Sequence, residues 1–259
     1  MSIVSLAAIT CYGVAAASQG SQFAGKNQWA KLGLFGFGAI AFLLHGILLY
    51  HLIDIKSGQN LYFFNLLSLG AWLTGGMVLL LAIRKPVHNL LLIIYPIALI
   101  AIVLDYFFPG KYVVQTAISM QAFIHILLAV FAFSIFCIAV LQAILLAVQD
   151  SLLRSRHGSK LMHLLPPIET MEHILFATIA VGFALLSILI FDAVMAFHGI
   201  VDYRLWQKTL IAVIAWMIFA ILLWGRHFAG WRGRAAIYWT LTGFILLMIV
   251  YFGTKILMV

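Results

Sequence analysis

The sequence predicts an all-α, polytopic membrane protein, a bundle of about eight transmembrane helices forming a single domain over residues 1–259. Two observations support this class. Hydrophobic residues make up 65% of the 259 residues and charged residues 8%, whereas soluble domains average about 45–50% apolar and about 25% charged residues. The apolar residues also gather into runs of about 20, the length that a helix needs to cross a bilayer. A soluble core could not hide so much apolar surface.

The predicted spans follow one another with short connections that leave no room for a water-soluble domain. They cover residues 2–19, 29–54, 61–82, 87–107, 118–149, 171–196, 206–225 and 233–255. The connections carry the charges, glycines and prolines expected of turns, as in IKSGQN, RKPVHN and FFPGKY. No basic segment precedes the first span, so we expect a retained helix there rather than a cleaved signal peptide.

The distribution of basic residues predicts the orientation of the chain in a bacterial inner membrane. With both termini outside, in the periplasm, the inner connections hold ten of the 15 lysines and arginines, in agreement with the positive-inside rule. These ten are Lys26, Lys31, Arg84, Lys85, Arg154, Arg156, Lys160, Arg226, Arg232 and Arg234. The net charge of +8 therefore indicates membrane topology, and we expect no nucleic-acid partner. The stretch WGRHFAGWRGR, residues 224–234, then forms the last cytoplasmic connection.

Two histidines lie well inside predicted spans, where ionisable side chains are costly and therefore mark candidate functional sites. His45 lies in AFLLHGILLY and His125 in QAFIHILLAV. Each shares a helical face with small residues, which are Gly38 and Ala41 for His45 and Ala122, Ala129 and Ala132 for His125. A neutral imidazole beside such a groove is suited to bind haem iron. His45 and His125 are accordingly the predicted cofactor-binding and metal-ligating residues, with haem as the cofactor.

An alternative interpretation of the same histidines involves no ligand. An intramembrane histidine often forms a hydrogen bond with a neighbouring helix, and small residues at four-residue spacing often allow helices to pack closely. The chain has no Walker loop, zinc-type spacing or Ser-His-Asp arrangement, so we predict no enzyme. Glu172, near the start of the sixth span, either complements the helix dipole or pairs with an arginine such as Arg232.

Four segments together resemble the cytochrome c assembly family, which includes CcsA, CcmC and CcmF, and are most like its small YpjD/HemX-type branch. They cover spans two, three and five to eight, and their order and spacing are more specific than any one of them. The segments are AFLLHGILLYHLIDIKSGQNLYFFNLLSLGAW, QAFIHILLAVFAFSIFCIAVLQAILLAVQ, LPPIETMEHILFATIAVGFALLSILI and WGRHFAGWRGRAAIYWTLTGF.

The resemblance implies a protein that handles haem at or across the bacterial inner membrane for attachment to c-type cytochromes. Its expected partners are haem, the lipid bilayer and another membrane protein. His45 matches the family's intramembrane histidine of the second span, and His125 matches its first external histidine. The expected partner of His45 is replaced by Trp224, and the second external histidine is expected just past the last span, where the sequence ends at Val259. The family's tryptophan-rich external loop is reduced here to AFHGIVDYRLWQK.

This incomplete histidine set leaves several alternatives open. The chain could bind haem through one histidine, or it could be a haem-free accessory protein that regulates or stabilises another membrane protein. His45 and His125 lie at similar predicted depths, so they could also face one common cavity and ligate one haem or bond to each other. A solute transporter is a weaker interpretation, because only Pro96 clearly interrupts a span.

Overall fold

The computed structural model describes residues 2–24, 28–55, 58–110, 113–114, 120–154, 165–196 and 203–253. Within these ranges, eight helices are long and apolar enough to cross a membrane, which confirms the eight predicted spans. The helices are α1 (Ile3–Ala24), α2 (Gln28–Ile53), α3 (Phe63–Leu81), α4 (Leu91–Phe107), α5 (Met120–Arg154), α6 (Ile168–Ala196), α7 (Tyr203–Phe228) and α8 (Arg234–Met248). The predicted orientation of the chain stays a prediction. Of the 15 lysines and arginines on which it rests, six lie outside the described residues, namely Lys26, Lys56, Lys111, Arg156, Lys160 and Lys255.

The surface of the helices agrees with a lipid surrounding. Large apolar side chains such as Leu43, Phe191 and Ile245 are exposed along the helices. In water this surface would be costly, because apolar area removed from water stabilises a fold by roughly 25 cal/mol per Å². Exposed leucine, isoleucine and phenylalanine on long helices are the pattern expected where lipid tails replace water.

The chain divides into two compact units, Met1–Ser119 and Met120–Val259, and each is described by itself. The predicted single domain over residues 1–259 stays a prediction. The first unit contains α1 to α4 and a small antiparallel sheet of three strands, β1 (Asp54–Ile55), β2 (Gly58–Asn60) and β3 (Val113–Val114). The sequence predicts plain connections there, because strands of two or three residues are too short to show an alternating pattern.

The first unit is held together by close approaches between helices. The Tyr95 hydroxyl on α4 donates to the carbonyl of Leu34 on α2 at 3.1 Å. The Tyr95 ring crosses α2 at Gly38, where a Cβ would overlap the tyrosine hydroxyl. One turn along α2 from Gly38, the Trp72 indole of α3 stacks on Phe42 with ring centroids 4.6 Å apart and donates to the Phe42 carbonyl at 2.7 Å. Gly38 is therefore required by the Tyr95 side chain, which reaches from α4 to α2.

The second unit contains α5 to α8 around an aromatic centre. Phe136 on α5 and Phe219 on α7 stack with ring centroids 4.3 Å apart. Gly182 on α6 contacts the Phe136 ring, and Gly243 on α8 contacts the Phe219 ring, at distances that leave no space for a Cβ. Two large rings therefore meet at the centre because two neighbouring helices present glycine to them.

The segment WGRHFAGWRGR forms an ordered corner between α7 and α8. The Gly225 carbonyl accepts hydrogen bonds from the N–H groups of Ala229 and Trp231. Gly230 and Gly233 have positive φ angles of 64° and 54°, a region that favours glycine. The corner is closed by Glu172 of α6, which is 4% exposed and accepts the Gly233 N–H at 2.7 Å.

The expected arginine partner of Glu172 is found, but it is Arg226 and not the Arg232 suggested by the sequence. The Arg226 guanidinium lies 3.8 Å from the Glu172 carboxylate. It also donates to the Trp231 carbonyl at 3.2 Å and stands over the Phe176 ring at 4.7 Å. Arg226 reaches Glu172 because α7 and α6 pack together, a tertiary arrangement that spacing along the chain does not reveal.

Candidate functional site: two histidine environments

His45 lies on α2 in the interior of the first unit, with 0% of the residue exposed. Its Nδ1 is 3.2 Å from the Tyr12 hydroxyl of α1, and its Nε2 is 2.9 Å from the Ser68 hydroxyl of α3. A neutral imidazole has one donor and one acceptor nitrogen, and a hydroxyl can serve either of them. Both ring nitrogens of His45 are therefore satisfied by side chains of the same unit.

The predicted groove of small residues beside His45 is filled. Tyr95 occupies the space over Gly38, as described above, and Ala41 is fully buried. The Tyr12 ring stands edge-on to the imidazole with ring centroids 5.8 Å apart, and it also contacts Tyr95 at 5.6 Å. For His45 to bind iron, Tyr12 or Ser68 would have to release a ring nitrogen and the tyrosines would have to move.

His125 lies on α5 in the second unit and has a different kind of partner. Its Nδ1 is 2.7 Å from Oδ2 of Asp192 on α6, and the two side chains are 36% and 32% exposed. The Gln121 side-chain amide donates to the other carboxylate oxygen of Asp192 at 3.1 Å. Gln121 precedes His125 by four residues and so lies on the same face of α5. The three side chains form the His125–Asp192–Gln121 cluster.

The carboxylate determines what the His125 ring can do. A carboxylate only accepts hydrogen bonds, so the imidazole donates through Nδ1–H. In the neutral ring, Nε2 then carries the lone pair. A carboxylate bound to the far nitrogen of a histidine is the usual arrangement behind a metal-ligating imidazole, because it fixes the ring orientation and increases the basicity of the ligating nitrogen. His125 thus has the donor chemistry that iron requires.

The small residues near His125 contribute to helix packing. Ala132 is buried at 2% exposure. The Ala129 carbonyl accepts a hydrogen bond from Tyr251, which follows α8. The predicted small face of α5 therefore serves, at Ala129, the contact between α5 and the end of the last span.

The two predicted histidines belong to different units, so their sharing of one cavity stays a prediction. Trp224, which stands where the resemblance implies a histidine, lies on α7 of the second unit with 67% exposure and packs its ring against Phe228 at 4.3 Å. Within the part of the chain that the structure describes, no group of three or more His, Cys, Asp or Glu side chains is placed to hold a metal ion. Haem needs only one or two axial ligands from the protein.

Three partners of the histidines were not predicted from the sequence, namely Asp192, Tyr12 and Ser68. Asp192 carried a usable signal, because it is an ionisable residue within the apolar run ILIFDAVMA and so meets the criterion that selected the histidines. Tyr12 and Ser68 carried no such signal, since tyrosine and serine are common in membrane helices. Their role depends on the packing of α1 and α3 against α2.

Fold and site together define a polytopic helical membrane protein with a carboxylate-oriented histidine. A family model described as "Cytochrome C assembly protein" matches residues 34–259. The chain therefore belongs to the cytochrome c assembly protein family, as the resemblance implied. Both histidines lie within the matched range, whereas Tyr12 precedes it.

Comparison with known proteins gives both full-length and partial relatives. The chain is 29% identical over 259 residues to the inner membrane protein YpjD of Escherichia coli K12, covering 99% of this chain and 98% of that protein. It is 35% identical over 91 residues to the cytochrome c biogenesis protein CcsA of Microcystis aeruginosa, covering 34% of this chain and 28% of that protein. A CcsA of Nostoc sp. is 36% identical over 91 residues. No solved structure matches.

These findings confirm the predicted location as well as the family. The eight apolar helices and the full-length similarity to an inner membrane protein place the chain in the bacterial inner membrane as a multi-pass protein.

Proposed function

We propose that this chain is an inner-membrane haem-binding protein that takes part in haem handling, with His125 as the iron ligand. The observation that carries the proposal is the 2.7 Å contact between His125 Nδ1 and Asp192 Oδ2. It leaves Nε2 as the basic nitrogen of a ring that is only partly covered. When bound, haem supplies an iron centre that accepts the Nε2 lone pair.

In this proposal each residue of the cluster has a role that the geometry supports. His125 binds iron, Asp192 holds the Nδ1 proton and keeps the ring in one tautomer, and Gln121 holds the second oxygen of Asp192. The rest of the cluster therefore positions His125 and does not touch the ligand. This arrangement supports binding and transfer of haem and involves no reaction of the protein side chains.

Family membership supports the same function in a coarser way. The relatives named CcsA are cytochrome c biogenesis proteins, and the segment that they share with this chain covers about a third of it. We extend a role in cytochrome c biogenesis to this chain on the basis of the His125–Asp192–Gln121 cluster, and another membrane protein is the expected recipient.

The experiment is a haem titration of the purified full-length protein in mild detergent. We expect a saturable Soret band in the wild-type protein, and His125→Ala should lower its haem affinity about 100-fold. His173→Ala is the matched control, because His173 is an exposed histidine of α6 in the same unit, and it should bind haem like the wild type. Absence of a saturable band in the wild type, or equal affinity in His125→Ala, would contradict the proposal.

A haem-free accessory protein is the second candidate function, and the environment of His45 favours it. Both nitrogens of this histidine are engaged by Tyr12 and Ser68, which is the arrangement of a structural residue. If this function is correct, the titration gives no saturable Soret band. Variants His45→Ala and His125→Ala then keep the ability to support the partner membrane protein in cells, with only a loss of stability.

A further inference from the structure

A cavity of about 360 Å³ lies in the first unit, and His45 is not among the residues that line it. It is a partly open cleft lined by the start of α1 and the ends of α2 and α4, which the fold brings together at one end of this unit. Its volume lies within the range of about 300–1,000 Å³ typical of small-molecule sites. The lining residues are Ser2, Val4, Ser5, Leu48, His51, Leu52, Ile102, Asp105 and Tyr106.

The unusual group in this cavity is the carboxylate of Asp105. The residue is 7% exposed, and its Oδ2 has no hydrogen-bond partner among the residues that the structure describes. An ionised carboxylate that is taken out of water without a partner is strongly destabilising. A buried carboxylate that lines a cavity therefore suggests a ligand that supplies a positive charge or a donor.

Asp105 is the group of this cavity that would bind such a ligand, because the serines form hydrogen bonds within the start of α1 and His51 is exposed. The Ser5 hydroxyl donates to the Ser2 carbonyl at 2.8 Å, and the Ser5 N–H donates to the Ser2 hydroxyl at 3.1 Å, so both serines serve the start of α1. His51 is an exposed residue whose ring packs against Tyr50. The remaining wall is apolar and consists mainly of Val4, Leu48, Leu52 and Ile102.

We propose that this cavity binds a small organic ammonium ion with a compact hydrocarbon body. The ammonium group donates to Asp105 Oδ2, and the hydrocarbon body packs against the apolar wall. A bare metal ion fits less well, because hard cations require several oxygen ligands and the cavity offers one carboxylate. The carboxylates of haem would be repelled by Asp105, so this site is independent of the proposed function.

The test uses cyclohexylamine, which is charged at neutral pH, and cyclohexanol as its neutral counterpart of nearly equal shape. Binding to the purified full-length protein is followed by calorimetry and by the shift of the thermal unfolding midpoint. We expect saturable binding of cyclohexylamine, at least tenfold weaker binding of cyclohexanol, and at least tenfold weaker amine binding in Asp105→Asn. Asp54→Asn is the control, because Asp54 is an exposed carboxylate of the same unit.

A second variant keeps the test decisive if Asp105→Asn folds poorly. Leu48→Trp retains the carboxylate but fills the cavity, and it should also weaken amine binding at least tenfold. Equal binding of amine and alcohol, or wild-type amine affinity in Asp105→Asn or Leu48→Trp, would overturn the proposal. It would also be overturned if the wild-type protein shows no saturable binding of cyclohexylamine.

Discussion

His45 and His125 both lie on long apolar helices, yet they differ in the chemistry of their partners. His45 meets two hydroxyls, from Tyr12 and Ser68, and both of its nitrogens are used. His125 meets one carboxylate, from Asp192, and one nitrogen is used. A hydroxyl can donate or accept, so two hydroxyls satisfy an imidazole completely, whereas a carboxylate can only accept and occupies one side of the ring.

The comparison shows that depth in the membrane does not by itself identify a ligand. Both residues meet the rule that intramembrane ionisable side chains are functional candidates, and the nature of the partner separates them. We therefore expect substitutions around His45 to change stability and leave haem binding unaffected, and substitutions around His125 to do the reverse.

The largest expected effect is on stability, in His45→Ala. The change removes a fully buried ring, leaves a cavity and leaves the hydroxyls of Tyr12 and Ser68 without partners, so we expect a loss of about 3 kcal/mol in the free energy of unfolding. Unfolding in detergent, followed by tryptophan fluorescence, measures it. His173→Ala, at an exposed position, should cost less than about 0.5 kcal/mol. Loss of haem binding without loss of stability would make His45 a ligand.

The second effect concerns haem affinity, in Asp192→Asn. The asparagine keeps the shape but loses the charge that holds the Nδ1 proton of His125, and loss of such a partner weakens metal binding about 10- to 100-fold. A tenfold loss corresponds to about 1.4 kcal/mol. Haem titration measures it, with Asp150→Asn as the control, because the Asp150 carboxylate pairs with Arg154 and Arg234 near the other end of α5. If Asp192→Asn leaves the haem affinity unchanged, then Asp192 does not position His125 for haem binding.

The fold was predicted from the sequence to a large extent, because hydrophobic length is a local property. Every span appears as a helix, and most of the predicted bounds agree within a few residues, but α1 and α5 each run five residues past the predicted end and α8 ends at Met248, seven residues before it. The three-stranded sheet was missed because its strands have two or three residues and are defined by pairing, which connects segments as distant as β2 and β3.

The candidate site was predicted only in part, because the sequence reveals which residue types are costly in a membrane but not what they contact. It identified His125 but not Asp192, which lies 67 residues further along the chain. It also treated Gly38 as one wall of a ligand groove, whereas the structure uses this glycine to admit the Tyr95 ring. A small residue on a helix face indicates a close approach without indicating whether a ligand or a neighbouring helix makes it.

The third effect is the loss of one hydroxyl in Tyr12→Phe. The phenylalanine ring keeps the contacts with His45 and Tyr95, so only the hydrogen bond to Nδ1 is removed and we expect a loss of about 1 kcal/mol in the free energy of unfolding. Haem affinity should stay at the wild-type value, because the space over Gly38 remains filled. If Tyr12→Phe binds haem at an additional site, and this extra Soret absorbance is lost when His45 is also replaced, then Tyr12 prevents His45 from binding haem in the wild type.

The smallest expected effect is in Gln121→Leu, which removes the hydrogen bond to Asp192 Oδ1 and retains a side chain of similar size. Gln121 acts on haem only through Asp192 and His125, and hydrogen bonds between exposed groups contribute little, so we expect haem affinity to fall about twofold, equivalent to about 0.4 kcal/mol. Combining Gln121→Leu with Asp192→Asn in a double-mutant cycle gives the sharper measurement. If Gln121 works through the carboxylate, Gln121→Leu should cause no further loss of haem affinity in the Asp192→Asn variant. Fully additive losses would instead place Gln121 in contact with the haem.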